Sequence, residues 1–327
     1  MPRLLLVLRD TPAARQQVEE RLPGIPFAFL SETDPPARSA VEAVLLRSMT
    51  RDAVGWAPAD SPRLRFLQRY FVGVDDLPFE RIPPQVEVAG NVGGMAPFVA
   101  EHALALALAS TRCLREGQAA VAAGRARPVP ELRTLYGETA VVLGFGAIGR
   151  AIADRLHAFG AQVVGVNRTG GGAPGCDRMY PAERLREAVG AGAFVFDARP
   201  LTVRTAGSLG TAEFAAMRDD ATFVNVGRAG TVDPAALYER LRTHPRFRAA
   251  LDVWWDEDLA AGVIRSRFPF ASLPNFVGTP HWAGFAPGVE AYALRTALEN
   301  LARFFSGARP LHLVDRAEYV GAPRSPV

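Results

Sequence analysis

The chain has 327 residues, 49% of them hydrophobic and 22% charged, with a formal net charge of +3. That balance excludes a compositionally disordered chain, and the length predicts about two domains, each able to bury a core. All 37 basic residues are arginine, yet none form long runs, so the composition argues against nucleic-acid binding. Cys113 and Cys176 match no metal-ligand spacing and make no disulfide framework, which points to a reducing compartment. His157, His244 and His312 are scattered and suggest no metal site. The apolar run in the opening MPRLLLVLRD is too short for a signal segment. The most apolar later stretch, residues 98–110, contains Glu101 and His102 and is far below bilayer length. A cytoplasmic protein with no membrane partner is expected.

Residues 4–8 form an apolar run that reads as a first buried strand. Thr11 followed by Pro12 marks a helix start, with the helix continuing to about Arg21. Residues 25–30 predict a second strand, 40–46 are ambiguous between strand and helix, and 65–72 predict a strand ending at Gly73. Together these predict a small α/β unit over the first ninety or so residues. Residues 95–124 read as one long Ala- and Leu-rich helix, interrupted afterwards by Pro128 and Pro130. From residue 139 the alternation is regular. Strands are predicted at 139–143, 162–167, 193–197, 221–226, 249–253 and 276–278. Helices are predicted at 147–158, 181–189, 211–217 and 234–241, and the glycine run at 169–175 is a loop. This alternation predicts a parallel sheet with right-handed crossovers. Pro287 can open a final helix to about Phe305, and the tail 310–327 should fray at its end.

Within this pattern, Gly144, Gly146 and Gly149 stand at GxGxxG spacing between a strand and a helix. The first glycine makes the tight turn, the second lets backbone approach a pyrophosphate, and the third lets helix and strand pack closely. The helix N-terminus then presents unpaired N–H groups to negative charge. The context predicts a dinucleotide site. The second strand ends in VNRTG, which puts Asn167 where an NAD-selective site carries an acid, followed by Arg168 and Thr169. Asn167 does not repel a 2′-phosphate, Arg168 can pair with one, and Thr169 can donate to it. NADP is therefore favoured over NAD.

Seven segments, taken in order, resemble the D-isomer-specific 2-hydroxyacid dehydrogenase family, of the glyoxylate/hydroxypyruvate reductase kind. They are FVGVDDL at 71–77, VAEH at 99–102, GFGAIGR at 144–150, RPLTVRT at 199–205, FVNVGRAGTVD at 223–233, LDVWW at 251–255 and TPHWAG at 279–284. The resemblance implies an α/β fold of two Rossmann-like domains. A parallel-sheet NAD(P)-binding domain, residues 99–284, would be inserted into a smaller flavodoxin-like substrate domain. Residues 1–98 would form the first part of that domain, and 285–327 a C-terminal helix and tail returning to it. The family is usually dimeric, which implies a homodimer.

Residue by residue, the family's catalytic arginine falls on Arg228, its acid on Glu257 and its histidine on His281. The family's Arg-Gly step reads Arg228-Ala229 here, and its proline after the glutamate reads Asp258. Cofactor contacts are implied at Ala147, Ile148, Pro200, Thr205, Val226 and Asp252, beside the fingerprint glycines. Backbone N–H groups at Val72 and Gly73 are implied to bind the substrate carboxylate. The chemistry suits these residues independently. Arg228 can grip the carboxylate of a small 2-keto acid and polarise its carbonyl. His281 can supply the proton that reduction places on oxygen, while Glu257 orients the ring and stabilises its protonated form. His102 reads as a packing residue or a helix hydrogen bond. The aromatic residues Trp254, Trp255, Phe268, Phe270 and Trp282 read as domain packing or a pocket wall. Formate or phosphite oxidation is an alternative, because LDVWW is similar to the formate dehydrogenase branch; that branch, however, carries glutamine where Glu257 stands. A nucleotide-sensing binding protein is a further alternative, which retention of Arg228, Glu257 and His281 opposes.

Overall fold

In the computed structural model, the described residues are 1–322 except 35, 49–52, 54, 55, 129 and 260. The fraying expected beyond residue 322 lies outside them. The described residues form two compact units, one of residues 1–95 with 286–322, the other of residues 96–285.

The first unit is built on five short parallel strands: β1 (Leu4–Val7), β2 (Phe27–Phe29), β3 (Ala43–Leu46), β4 (Phe66–Arg69) and β5 (Glu87–Ala89). They lie in the order β2-β1-β3-β4-β5. Residues 40–46, ambiguous in sequence, resolve to a strand because β1 and β4 flank them on both sides. Helix α1 (Pro12–Arg21) begins where Thr11 Oγ1 accepts from the Ala14 N–H at 3.2 Å, a cap worth about 1 kcal/mol. Strands β1, β2 and β3 are apolar throughout because both sheet faces are covered. Leu4, Leu6, Leu45 and Phe66 pack with Val18 and with Leu294, Leu298 and Leu301 of the closing helix Val289–Phe305. Leu5, Val44 and Leu67 face the other way, toward Trp56, Phe79 and Ile82. The closing helix begins two residues beyond Pro287. Asn91 Nδ2 ties it to the sheet by donating to the carbonyls of Tyr70 (2.7 Å) and Ala293 (2.8 Å).

The second unit opens with α2 (Ala96–Thr111) and α3 (Leu114–Ala122), not with one continuous helix. Two features break the expected run. The Thr111 carbonyl accepts from the Arg133 N–H at 3.0 Å, and Cys113 takes a left-handed φ of 51° with its side chain buried. Local propensity continues across the break, but burial does not. Helix α2 is buried along most of its length, whereas α3 buries no residue. The sheet then follows: β6 (Thr139–Leu143), α4 (Ala147–Ala158), β7 (Gln162–Asn167), β8 (Arg178–Pro181), α5 (Leu185–Gly190) and β9 (Phe194–Asp197). Next come α6 (Thr211–Ala216), β10 (Thr222–Asn225), α7 (Pro234–Thr243), β11 (Arg248–Leu251), the hairpin β12 (Asp256–Asp258) and β13 (Val263–Arg265), and β14 (Phe276–Gly278). The closing helix is α8.

Seven strands pair in parallel in the order β14-β11-β10-β9-β6-β7-β8. Strand β8 replaces the start of the helix expected at 181–189. Pro181 ends the strand, a 3-10 turn follows at Ala182–Arg184, and the helix proper begins at Leu185. The chain direction across the sheet reverses between β6 and β9, which leaves a crevice at their carboxyl ends, the usual ligand position in an open α/β sheet. Most of the aromatic group is core packing: Trp255 stacks on Phe270 at 5.5 Å and Trp254 meets Phe276 at 5.9 Å. Trp282 stands apart from it and is 57% exposed. Among the described residues no helix is long and apolar enough to cross a membrane.

Candidate active site

The three fingerprint glycines each meet a different constraint. Gly144 leaves β6 with a φ of 85°, and a Cβ there would sit 3.0 Å from the Ala198 carbonyl carbon. A Cβ on Gly149 would fall 2.3 Å from the Gly144 oxygen, so this position locks α4 against the turn. At Gly146, the N-cap of α4, a Cβ would meet nothing within 4 Å. The open side is thus the one facing a ligand. No side chain caps the first turn of α4, which leaves its N–H groups for an anion. Ala147 and Ile148 occupy that turn, half-buried. A pyrophosphate-bearing cofactor fits this cradle.

At the end of β7, Asn167 is committed to its own loop. Its Oδ1 accepts from the N–H groups of Thr169 (3.0 Å) and Gly170 (2.7 Å), and its Nδ2 donates to the Gly171 carbonyl at 2.9 Å. Arg168 and Thr169 are left exposed at the loop surface. No carboxylate ends this strand. Beyond β9, exposed Pro200 accepts through its carbonyl from Thr205 Oγ1 at 2.6 Å, and Val226 is buried after β10.

The side chains expected to perform chemistry follow three adjacent strands. After β10, Asn225 Oδ1 accepts from the Gly227 N–H at 3.0 Å and its Nδ2 donates to the Arg228 carbonyl at 3.2 Å. Arg228 is half-buried, with Nη1 donating to the Gly227 carbonyl at 3.0 Å. Ala229, where the family has glycine, opens the 3-10 turn Ala229–Thr231 outside the left-handed region, so the methyl group costs no strain.

After β11, Asp252 is 1% exposed. Its Oδ1 accepts from Thr279 Oγ1 (2.6 Å) and the Trp282 N–H (2.8 Å), and its Oδ2 from the Ala283 N–H (2.9 Å). Burial alone would push this carboxyl up. His102, Thr279 and the two backbone N–H groups outweigh burial and hold it below the usual range. Asp252 thereby pins the turn after β14, and its carbonyl also accepts from the His281 N–H at 2.8 Å. His281 holds a left-handed φ of 59° within that turn. Such a φ in a non-glycine residue costs roughly 1 kcal/mol or more, and here the Asp252 contacts over-determine it. His102 Nε2 lies 2.9 Å from Thr279 Oγ1. The Thr279 hydroxyl proton goes to Asp252, so His102 is the donor there. Sequence reading assigned His102 to packing or a helix hydrogen bond, whereas the structure joins it by hydrogen bonding to this cluster.

Glu257 comes from the β12–β13 hairpin, which short strands and an acidic composition had hidden in the sequence. It is 5% exposed, and its Oε2 stands 2.6 Å from His281 Nδ1. Its Oε1 accepts from the Trp254 N–H. Asp258, where the family has proline, pairs with Val263 in the hairpin and accepts from the Ala261 N–H at 2.8 Å, so the departure is absorbed by the turn. Among the described residues, His281 Nε2 has no hydrogen-bond partner. The structure thus brings Arg228, Asp252, Glu257 and His281 to the carboxyl ends of β10, β11 and β14.

Val72 and Gly73 belong to the other unit, in the loop after β4. Buried Arg69 braces that loop: Nε donates to the Gly73 carbonyl (3.3 Å), Nη1 to the Arg47 carbonyl (3.0 Å) and Nη2 to both Asp76 oxygens (3.0 and 2.9 Å). Gly90 backs it so closely that a Cβ would lie 2.7 Å from the Val72 oxygen.

A strand–glycine turn–helix cradle on the same sheet as an acid-braced histidine and an arginine is the arrangement of a nicotinamide-dependent dehydrogenase. The comparisons give the family. The model of the D-isomer specific 2-hydroxyacid dehydrogenase NAD-binding domain matches residues 104–283, and the chain belongs to that family as an NAD(P)-dependent oxidoreductase. A hydroxypyruvate reductase of Thermotoga maritima is 28% identical over 243 residues, 74% of this chain and 77% of the relative. A crystal structure from Pyrobaculum aerophilum, described as a candidate formate dehydrogenase, is 35% identical with a TM-score of 0.82, covering 98% of this chain and 100% of that one. A D-isomer specific 2-hydroxyacid dehydrogenase from Xanthobacter autotrophicus Py2, solved with NADPH and MES, is 26% identical with a TM-score of 0.80, covering 96% and 98%.

Proposed function

We propose that the chain reduces a small 2-keto acid, of the glyoxylate or hydroxypyruvate kind, reversibly to the D-2-hydroxy acid, with NADPH favoured over NADH. The observation that carries this reading is the 2.6 Å contact between Glu257 Oε2 and His281 Nδ1. A carboxylate bonded to one ring nitrogen fixes the orientation of the ring and leaves the other nitrogen as the one that meets substrate. His281 Nε2 gives its proton to the substrate oxygen and remains bonded to Glu257 through Nδ1–H. Arg228 holds the substrate carboxylate and polarises the carbonyl. The bound nicotinamide supplies the hydride. Asp252 keeps the Thr279–Ala283 turn, and with it His281, in place.

The NADPH preference is supported by the absence of an acid at the end of β7 and by exposed Arg168 and Thr169 beyond it. In the same reading, residues 1–98 and 285–327 form the substrate domain, 99–284 the cofactor domain, and the protein is a cytoplasmic homodimer. Similarity to the Pyrobaculum structure favours a second reading, formate oxidation. The Glu257–His281 pair suits proton donation to a carbonyl, which formate does not need.

One panel separates the two. Nicotinamide absorbance is followed with glyoxylate and hydroxypyruvate plus NADPH or NADH, and with formate or phosphite plus NADP or NAD. Reduction of the keto acids, faster with NADPH, is expected. Turnover of formate or phosphite alone would overturn the assignment.

A further inference from the structure

A buried polar cluster lies beneath the site at the end of β9, which runs between β6 and β10. Asp197 is fully buried, and Arg199 two residues later nearly so. Arg199 Nε donates to Asp197 Oδ1 at 2.9 Å, Nη2 to Oδ2 at 2.7 Å and Nη1 to Ser208 Oγ at 2.9 Å. Thr231 Oγ1 lies 2.9 Å from Asp197 Oδ2 and 2.8 Å from the Arg228 carbonyl oxygen. One hydroxyl proton cannot serve both acceptors fully. The Arg228 carbonyl already accepts from Asn225 Nδ2 and the Thr231 N–H, so the proton goes to the charged oxygen.

The pair is also wedged between two glycines. A Cβ on Gly144 would fall 2.9 Å from Arg199 Cγ, and a Cβ on Gly227 would fall 2.6 Å from the Arg199 carbonyl oxygen. The cluster therefore touches the dinucleotide turn on one side and the turn bearing Arg228 on the other. A buried ion pair is a poor source of stability by itself, but fully satisfied it fixes one geometry.

We propose that Asp197, Arg199 and Thr231 are positioning residues that set the Arg228 turn, with Thr231 as the link. This rests on Arg228 binding the substrate carboxylate. The hydroxyl of Thr231 holds the 3-10 turn to the Asp197 carboxylate, and its backbone N–H holds the Arg228 carbonyl. Without the hydroxyl the turn keeps its backbone bonds to Gly207 and Leu209 but loses its tie to the Asp197 carboxylate, while the Asp197–Arg199 pair stays satisfied.

Thr231→Val keeps shape and β-branching and removes only that hydroxyl, and Thr231→Ser restores it. The test measures keto-acid KM, kcat and NADPH Kd in both variants, with Arg228→Ala as control. Thr231→Val should raise keto-acid KM about tenfold, the size expected for a lost hydrogen bond to a charged group. NADPH Kd should stay within about twofold, and Thr231→Ser should return KM to within about twofold of wild type. An unchanged KM in Thr231→Val, with Arg228→Ala strongly impaired, would overturn the brace and leave the role of Arg228 standing. Equal rises in KM and NADPH Kd, or no rescue by serine, would also overturn it. Wild-type efficiency in Arg228→Ala would remove the reading on which the proposal rests, and the proposal with it.

Discussion

Two regions of the second unit handle polar side chains in opposite ways. In the turns after β10, β11 and β14, each group expected to meet the reacting carbon is held by partners that are themselves held. Glu257 is fixed by the Trp254 N–H and faces His281, whose turn is pinned by Asp252. After β7, Asn167 is tied to its own loop, and Arg168, Thr169, Gly171 and Gly172 lie exposed beyond it. The contrast follows from what each region must do. Proton transfer and carboxylate binding need geometry set in advance, since misplacement by an ångström costs orders of magnitude. Selecting a cofactor phosphate needs a charge within reach of a solvated group. Substitutions in the first region should therefore cost far more than those in the second.

The largest loss should come from His281→Ala, with kcat for keto-acid reduction down by about 10³ and NADPH affinity retained. Steady-state kinetics with a fluorescence titration of NADPH will show it, and near-normal turnover would break the comparison at its strongest point. Arg228→Ala should lower kcat/KM by about 10² to 10³, again with cofactor binding retained. Glu257→Gln should lower kcat by about 10-fold or more, because the amide holds the ring in place less firmly than the carboxylate does. Unchanged kcat in that variant would detach Glu257 from the proton donor.

Asp252→Asn tests the anchoring of the His281 turn through stability. The carboxyl is held below its ordinary value in the folded protein, so its contribution is fully present above the unfolded value of about 3.9 and is lost as pH falls through the lower folded one. The variant should be less stable by about 1–3 kcal/mol at neutral pH, and the gap in unfolding midpoint should close toward strong acid. The smallest effect belongs to the second region. Arg168→Ala should reduce kcat/KM with NADPH about tenfold and leave NADH within about twofold. A wild-type preference for NADH, unchanged by the substitution, would remove the phosphate-binding role.

The same contrast explains what could be read from the sequence. Strands 139–143 and 162–167 and the helix 147–158 have the predicted bounds because glycines punctuate an apolar alternation on both sides. The break at Cys113 could not be read, because alanine and leucine favour helix across it and the Arg133 N–H that takes the Thr111 carbonyl arrives from a distant segment. The hairpin β12–β13 was hidden for another reason: three-residue strands show no period, and DED resembles a surface loop. Spacing alone puts Glu257 five residues after Asp252, but its reach to His281 depends on that hairpin. Arg199 and Thr231 fall within segments that carry the resemblance, but nothing in the sequence joins them to Asp197. Polar residues at strand ends look solvent-facing until the glycines that bury them, Gly144 and Gly227, are placed in space.

The central claim is that Arg228 selects a carboxylate next to the carbonyl that His281 protonates. The most direct test compares glyoxylate with glycolaldehyde, which keeps the carbonyl and lacks the carboxylate, in wild type and in Arg228→Ala. Wild-type kcat/KM should favour glyoxylate by about 10³, as expected of a site built to pair with a charged group. Arg228→Ala should cut that preference to within about tenfold, mainly by loss on glyoxylate. An equal preference in both proteins would contradict the claim, because the carboxylate would then be read by something other than Arg228.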